Sequence, residues 1–401
     1  MNKIRFLTSG ESHGQALGTI IEGLPAGLHI TEEEIRQDLA RRQRGYGRGG
    51  RMQIEKDHAR ILSGVRYGKT LGSPVMMLLE NKDWPNWTEK MSVAPVENPV
   101  PPLQMPRPGH ADYAGMIKYQ HDDLRNLLER SSARETAMRV AVGAVCRKLL
   151  SEFGIRIYGH VVRIGKITSS FSALNTTRKD FVDPEFVQGW QDVFNRVENA
   201  EMASADESAN QKMISLVDDA KERGTSLGGQ FEIIATGMPI GLGSHVHWDR
   251  KLDAQIAYAM MSINAMKCVE IGMGVHVGSN PGSMVHDQIY YNEAEGYFRR
   301  TNNAGGIEGG MSNGEPVVVR VTMKPLPTMV SPLQSVDVST RQPKEAHYER
   351  ADVCAVPAAA IVGEAMLAIV LANALADKLG GDSMSEMLRN YKGLPDVPLG
   401  W

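Results

Sequence analysis

The chain has 401 residues, 42% of them hydrophobic, enough apolar side chain for a large core. Lysine plus arginine (44) and aspartate plus glutamate (47) nearly balance, for a formal net charge of −3. That excludes a global basic surface for nucleic acid or anionic membrane and leaves anion binding to local clusters. The three cysteines, Cys146, Cys268 and Cys354, lie far apart, which speaks against a disulfide framework or a zinc knuckle and for a reducing, cytoplasmic compartment.

Residues 1–7 carry too short an apolar run for a signal peptide. Residues 4–7 and 16–22 read as two strands of one sheet. Thr31-Glu-Glu-Glu34 is a capping box that opens a helix with Ile35 and Leu39 on one face, ending near Gly45. Strand-like runs follow at 52–62 and 74–79, and residues 89–106, with five prolines, read as a loop. Ser132-Ala-Arg-Glu135 reads as a second capping box. The helix behind it packs through Ala137, Val140, Ala141, Ala144, Val145 and Leu149, with Gly154 beyond its end. A strand returns over 155–164. Residues 165–223 are polar and weakly patterned. A strand is expected over 316–323 and an apolar helix over 355–379. The run 361–372 is interrupted by Glu364 and is too short to span a membrane, so it reads as a buried helix.

Residues 10–28 align without a gap on residues 224–242, pairing Gly10 with Gly224, Ser12 with Ser226, Gly23 with Gly237 and Pro25 with Pro239. A common Gly/Pro turn used twice is the plain explanation. The constant offset over the whole segment favours duplication, with a strand-turn-strand-helix unit in each half of one pseudo-symmetric domain. His13 is matched by Leu227, so the chemistry belongs to one half.

The strongest local signal is Arg41-Arg-Gln-Arg-Gly-Tyr-Gly-Arg-Gly-Gly-Arg51. Forked guanidinium donors suit carboxylates and phosphates. An RNA-binding RGG tract is the competing reading, but such tracts are long and repetitive, and this one lies between a capped helix and a strand. Arg130-Ser-Ser-Ala-Arg134 stands where a helix begins, which favours an anion. His13 and His110 each occupy glycine-flanked turns and have a side chain suited to proton transfer, although either alone is more often structural. His245-Val-His247 lacks a third ligand at useful spacing, so no metal is expected. The glycine-rich stretch 305–310, the loop 324–328 and the Arg350–Asp352 pair are each weak signals alone.

Taken together these segments resemble the chorismate synthase family over nearly the whole chain. The resemblance rests on Gly10-Glu-Ser-His-Gly14, Arg41 to Arg51, Arg107-Pro-Gly-His-Ala-Asp112 and Glu129-Arg-Ser-Ser-Ala-Arg-Glu-Thr136. Further on it rests on Asn264-Ala-Met-Lys-Cys-Val-Glu-Ile-Gly272, Thr301-Asn-Asn-Ala-Gly-Gly306, Lys324-Pro-Leu-Pro-Thr328 and Arg350-Ala-Asp-Val-Cys-Ala-Val-Pro357. It implies an α/β fold of the α+β type in a single domain over 1–401, a sandwich with long helices layered between two antiparallel sheets, assembled as a homotetramer. It implies elimination of phosphate from 5-enolpyruvylshikimate 3-phosphate with reduced flavin mononucleotide (FMN), and NADPH as reductant, directly or through a separate reductase. By position, the flavin site takes Arg130, Ser131, Ser132, Asn264, Ala265, Gly309, Lys324, Pro325, Leu326, Pro327, Thr328 and Arg350. Arg42, Arg48, Arg51 and Arg134 fall to NADPH and the anionic substrate. His110 is assigned to protonate the leaving phosphate, His13 to protonate or stabilise the reduced flavin, and Asp352 to take up a proton. Ala351 stands where the family has serine, and Cys268 where it has glycine. An ordinary flavin oxidoreductase is the alternative enzyme, distinguished by net consumption of NADPH.

Overall fold

The structure, a computed structural model, describes residues 3–49, 56–181, 184–293, 296–349 and 352–395. Alternating apolar residues build two sheets whose named pairings are all antiparallel. The first comprises β1 (Arg5–Ser9), β2 (Ala16–Glu22), β3 (Arg60–Ile61) and β4 (Val75–Glu80), in the order β1-β2-β4-β3. The second comprises β5 (Arg156–Ile164), β6 (Ile167–Thr168), β7 (Gly229–Thr236), β8 (Met266–Ile271) and β9 (Val317–Met323), in the order β8-β9-β7-β5-β6. Of the run expected over 52–62, only Arg60 and Ile61 form a strand among the described residues; residues 50–55 lie outside them.

The first helix, α1 (Glu32–Gln43), carries the expected capping box: Thr31 accepts from the Glu34 N–H, and Glu34 reaches back to the Thr31 N–H. Ile35 and Leu39 are fully buried beneath it, each contributing about 1.5–3 kcal/mol of burial. Two shorter helices, α2 (Asp112–Tyr119) and α3 (Arg125–Ser131), lead to α4 (Thr136–Ser151). The second capping box is not formed. Ser132 accepts instead from the Arg134 N–H, one residue early, and residues 133–135 make a tight 3₁₀ turn before α4 starts. The stretch 165–223 holds two helices, α5 (Pro184–Asn199) and α6 (Glu207–Glu222). After β7 come α7 (Leu252–Met261), α8 (Val356–Leu379) and α9 (Met384–Lys392).

The long helix α8 packs on α4, on α1 and on strands β5 and β7, while α4 packs on β1 and β2. Its most apolar window has a mean hydropathy of 2.0 and is 94% buried, so its hydrophobicity is that of a core helix, as the sequence predicts. Glu364, fully buried within it, is held by Arg41 at 2.7 Å and Arg147 at 2.6 Å.

The strand pairings of the two sheets match in register. Arg5 faces Glu22 and Arg156 faces Thr236; Ile21 faces Val75 and Ala235 faces Val317; Ile61 faces Met77 and Ile271 faces Val319. Gly10, Gly23 and Gly27 have positive φ, as do Gly224, Gly237 and Gly241. The element before the second turn differs from expectation: it is the helix α6, not a strand. The neighbour of β7 that corresponds to β1 is β5, at an offset of 151 rather than 214, so 63 additional residues separate it from β7.

Candidate active site

The turn at residues 10–14 is fixed from four sides. The Ser12 N–H donates to the Glu129 carbonyl (3.0 Å) and the Ser132 hydroxyl to the Ser12 hydroxyl (3.2 Å). Asn81 donates to the Glu11 and Gly14 carbonyls, and Arg130 donates to the Gly10 carbonyl (3.1 Å) and to Thr8. His13 thereby meets the buried carboxylate of Glu129, which lies 2.9 Å from Nδ1 and also accepts the His13 backbone N–H. Its ring stacks on Trp87 at 3.9 Å. Trp87 comes from the region between β4 and α2, where no motif pointed to a role.

His110 is built in a similar way. Its Nδ1 lies against Asp112 Oδ1, and Asp112 is fully buried at the start of α2. Arg107 binds the same carboxylate through Nε (2.8 Å) and Nη2 (3.1 Å), and donates from Nη1 to the Thr328 hydroxyl (3.1 Å). Burial pushes the Asp112 carboxyl up, but the hydrogen bonds and charges of His110 and Arg107 outweigh it and hold the group well below the usual carboxylate range. Two histidines, each with a carboxylate on Nδ1, are thus presented from different loops.

Further contacts join these pairs. The Lys324 ammonium donates to the Gly109 carbonyl, and the Lys324 N–H to the Ala265 carbonyl (3.0 Å). Asn264 donates to the Ser131 carbonyl (3.0 Å). Glu349 lies 3.9 Å from Arg107 and 3.5 Å from His347. Burial pushes its carboxyl up, yet His347, Arg107 and His13 outweigh this and hold it low, so the Glu349 carboxylate lies within the field of both histidine sites. Gly309 stands at a hairpin tip where an added Cβ would meet nothing within 4 Å. Ser131 turns its hydroxyl back to the Leu127 carbonyl. Arg51 and Arg350 lie outside the described residues.

The arginine loop divides in two. Arg48 pairs with Asp352 (3.0 Å), whose other oxygen accepts the Gly49 N–H (2.6 Å). Arg42 and Arg134 are buried. Arg42 donates to Thr136 and to the Ala133 carbonyl, Arg134 to Asn81, and both face Asp57. Burial, with the repulsion of Arg48 and Arg134, pushes Arg42 down to about 10 despite Asp57 and Asp352. Among the described residues, three guanidiniums face two carboxylates, a surplus of positive charge suited to anions.

A cavity of about 390 Å³ lies elsewhere, lined by Arg41, Tyr46, Glu201 and Ile361 among others, and none of the candidate residues borders it. Sequence reasoning missed the partners Glu129, Trp87, Arg107, Asp112 and Glu349. The spacing His110-Ala-Asp112 was a usable signal for one of them. Glu129, 116 residues from His13, left none.

The chorismate synthase family model matches residues 4–376. The chain belongs to the chorismate synthase family. It is 54% identical to a chorismate synthase of Aquifex aeolicus over 390 residues, covering 97% of this chain and 96% of that protein. It is 53% identical to one of Geobacter sulfurreducens over 398 residues, covering 97% and 98%. A crystal structure of chorismate synthase superposes with a TM-score of 0.76 at 46% identity, covering 97% of this chain and 96% of the other. As a member of the family, the chain is a carbon–oxygen lyase that eliminates phosphate from 5-enolpyruvylshikimate 3-phosphate to give chorismate, in aromatic amino-acid biosynthesis.

Proposed function

We propose that the elimination takes place between the two histidine–carboxylate pairs, with the arginine cluster holding the substrate. The observation that carries this is the continuous set of contacts from His13 and Glu129 through Ser131, Asn264 and Lys324 to His110 and Arg107. The substrate bears two carboxylates and a phosphate, and Arg48 is the member of the cluster placed to meet them, with NADPH as a second ligand of the same loop. Arg42 and Arg134 act from beneath through their charge, and Arg51 completes the set by its place in the motif. With Nδ1 held by Asp112, His110 protonates the leaving phosphate from Nε2. With Nδ1 held by Glu129 and its ring fixed on Trp87, His13 delivers a proton from Nε2 toward the flavin. Asp352 anchors Arg48 and takes up a proton at its carboxylate.

Several features fit a flavin mononucleotide. Asn264 Oδ1 is buried without a hydrogen-bond partner, an acceptor for a ring N–H. Ala265 adopts a left-handed backbone, φ 69°, and the described partners of Arg130 are two carbonyls and a hydroxyl, so its charge is available to a phosphate. Arg130, Ser131, Ser132, Asn264, Ala265, Gly309 and the loop Lys324 to Thr328 would hold the group, with Arg350 by position. Reduced flavin supplies the electron density that expelling an allylic phosphate beside an unactivated hydrogen requires.

The finer architecture belongs to the same reading. The packing of α4 on the first sheet and of α8 on the second and on α4 supports a sandwich of two sheets around paired helices. The matched registers and glycine conformations support an internal duplication with a pseudo-two-fold relation. Residues 129–136 and 349–356 correspond at one offset, pairing Glu129 with Glu349 and the start of α4 with that of α8. The assembly is a homotetramer working in the cytoplasm.

The test is phosphate release under strict exclusion of oxygen. Chemically reduced FMN in catalytic amount should support many turnovers, and oxidised FMN almost none. Equal rates with both would overturn the reading, and NADPH consumed one for one with product would make the chain an oxidoreductase.

A further inference from the structure

Each histidine of the site has a carboxylate on Nδ1, and each carboxylate has an arginine beside it. At His110 the arginine is Arg107, which binds Asp112 through two nitrogens. At His13 it is Arg125, whose Nη1 lies 3.6 Å from Glu129 Oε1, one turn along α3. Arg125 also reaches the second group that fixes the imidazole. Its guanidinium carbon lies 5.3 Å from the centre of the Trp87 ring, on which His13 stacks. A guanidinium at that distance is attracted by the indole π system. One side chain therefore touches both the carboxylate at His13 Nδ1 and the ring against its face.

The place of Arg125 is unfavourable for stability alone. Its side chain is only 13% exposed, and Nε and Nη1 are buried without a hydrogen-bond partner among the described residues. Buried donors left unmade are costly, and in native structures they call for a reason. Arg125 is also the first residue of α3, where the positive end of the helix dipole disfavours a cation. A neutral residue would start the helix at lower cost. The contacts with Glu129 and Trp87 account for the guanidinium instead.

Trp87 is itself held at its edge, where the indole N–H donates to Asp83 (3.0 Å). A second cation, Lys90, lies 5.0 Å from the ring centre, but it is exposed, and a solvated cation contributes less to such a contact than a desolvated one. Arg125 is the cation that is both buried and joined to the carboxylate. We propose that Arg125 is a positioning residue for His13, acting through Glu129 and Trp87 to hold the imidazole in its working orientation, the counterpart of Arg107 at His110. The proposal rests on the reading of His13 above and adds the side chain that stands behind it.

The experiment is a double-mutant cycle on phosphate release with reduced FMN, using the wild type, Arg125→Gln, His13→Ala and the double variant. Single-turnover measurement reads the slow members as well as the fast ones. Arg125→Gln should lower the rate by about 10-fold or more, the scale of a misplaced reacting group, with little change in KM. In the His13→Ala background the same substitution should cost less than about 2-fold, since its effect runs through the missing imidazole. Lys90→Gln should keep the wild-type rate. Arg125→Met, which brings no polar atom into the buried site, runs the same cycle should Arg125→Gln misfold. An equal loss with and without His13 would overturn the proposal, because Arg125 would then act on the fold or on a ligand directly. So would a raised KM at unchanged kcat, a wild-type rate in Arg125→Gln, or the same loss in Lys90→Gln. A wild-type rate in His13→Ala would remove the role of His13 itself and that of Arg125 with it.

Discussion

At the scale of the residue, the two histidines differ in how visible their partners were. His110 carries its carboxylate two positions on, in the same turn, so the pair with Asp112 is local and legible. His13 takes its carboxylate from Glu129, on a helix reached only through the fold, and no local pattern in the sequence displays that approach. For His110→Ala we expect turnover to fall by about 10²–10⁴-fold with a smaller change in KM, the usual loss for a general acid. Asp112→Asn should keep the shape of the pocket, because an amide can still accept from Arg107, but it removes the charge on His110 Nδ1. We expect kcat to drop by about 10-fold or more, with a smaller change in KM, since the imidazole loses the carboxylate that orients it. Steady-state kinetics decides this. A kcat unmoved by Asp112→Asn would mean that the carboxylate only holds the loop.

At the scale of the element, helices and strands with a strong period were read correctly and their ends less so. The Thr31 capping box is present because both of its hydrogen bonds are local. The Ser132 box fails because residues 133–135 tighten into a 3₁₀ turn, with the Ala133 carbonyl accepting from the buried Arg42, a contact between distant segments. The packing of α4 on α8 carries the clearest test. Gly143 sits mid-helix in α4, where alanine is worth about 1 kcal/mol more by helix propensity. A methyl there would nevertheless lie 2.5 Å from Ala365 Cα on α8, and overpacking of that kind typically costs about 1–3 kcal/mol, occasionally more. The steric effect wins where both partners are backbone-rigid helices. Gly143→Ala should therefore lower stability by roughly 1–2 kcal/mol or more, seen as a reduced midpoint in urea. A variant as stable as the wild type, or more so, would mean that the helices are not pressed together at that point.

At the scale of the whole molecule, the offset between residues 10–28 and 224–242 was the informative signal. It brought together the segments that hold β2 and β7 and their glycine turns. It misjudged what precedes the second turn, because β5, the strand that pairs with β7, lies upstream of α5 and α6. The polar stretch 165–223 was opaque for a related reason. The aromatic side of α5 rests on the outer face of a sheet, and its pattern has meaning only once that sheet exists.

This arrangement bears on whether the halves are independent. Each sheet meets a helix of its own half, α4 or α8, but those helices pack chiefly on each other, and one hydrophobic cluster runs from Ile4 to Met387. Residues 1–164 alone would leave in water the side of α4 where Gly143 meets Ala365 of α8, and burial of apolar surface is the main favourable term in folding. Conformational entropy would still oppose folding at about 1–2 kcal/mol per residue, with no second sheet to complete the core. We therefore expect a single cooperative unfolding transition for the full chain in calorimetry, with calorimetric and van't Hoff enthalpies in agreement. A fragment of residues 1–164 should show no cooperative transition and should gain one on co-expression with residues 165–401. Two resolved transitions, or a fragment that melts cooperatively by itself, would mean that each half holds a core of its own and that the chain is two domains joined through the helices.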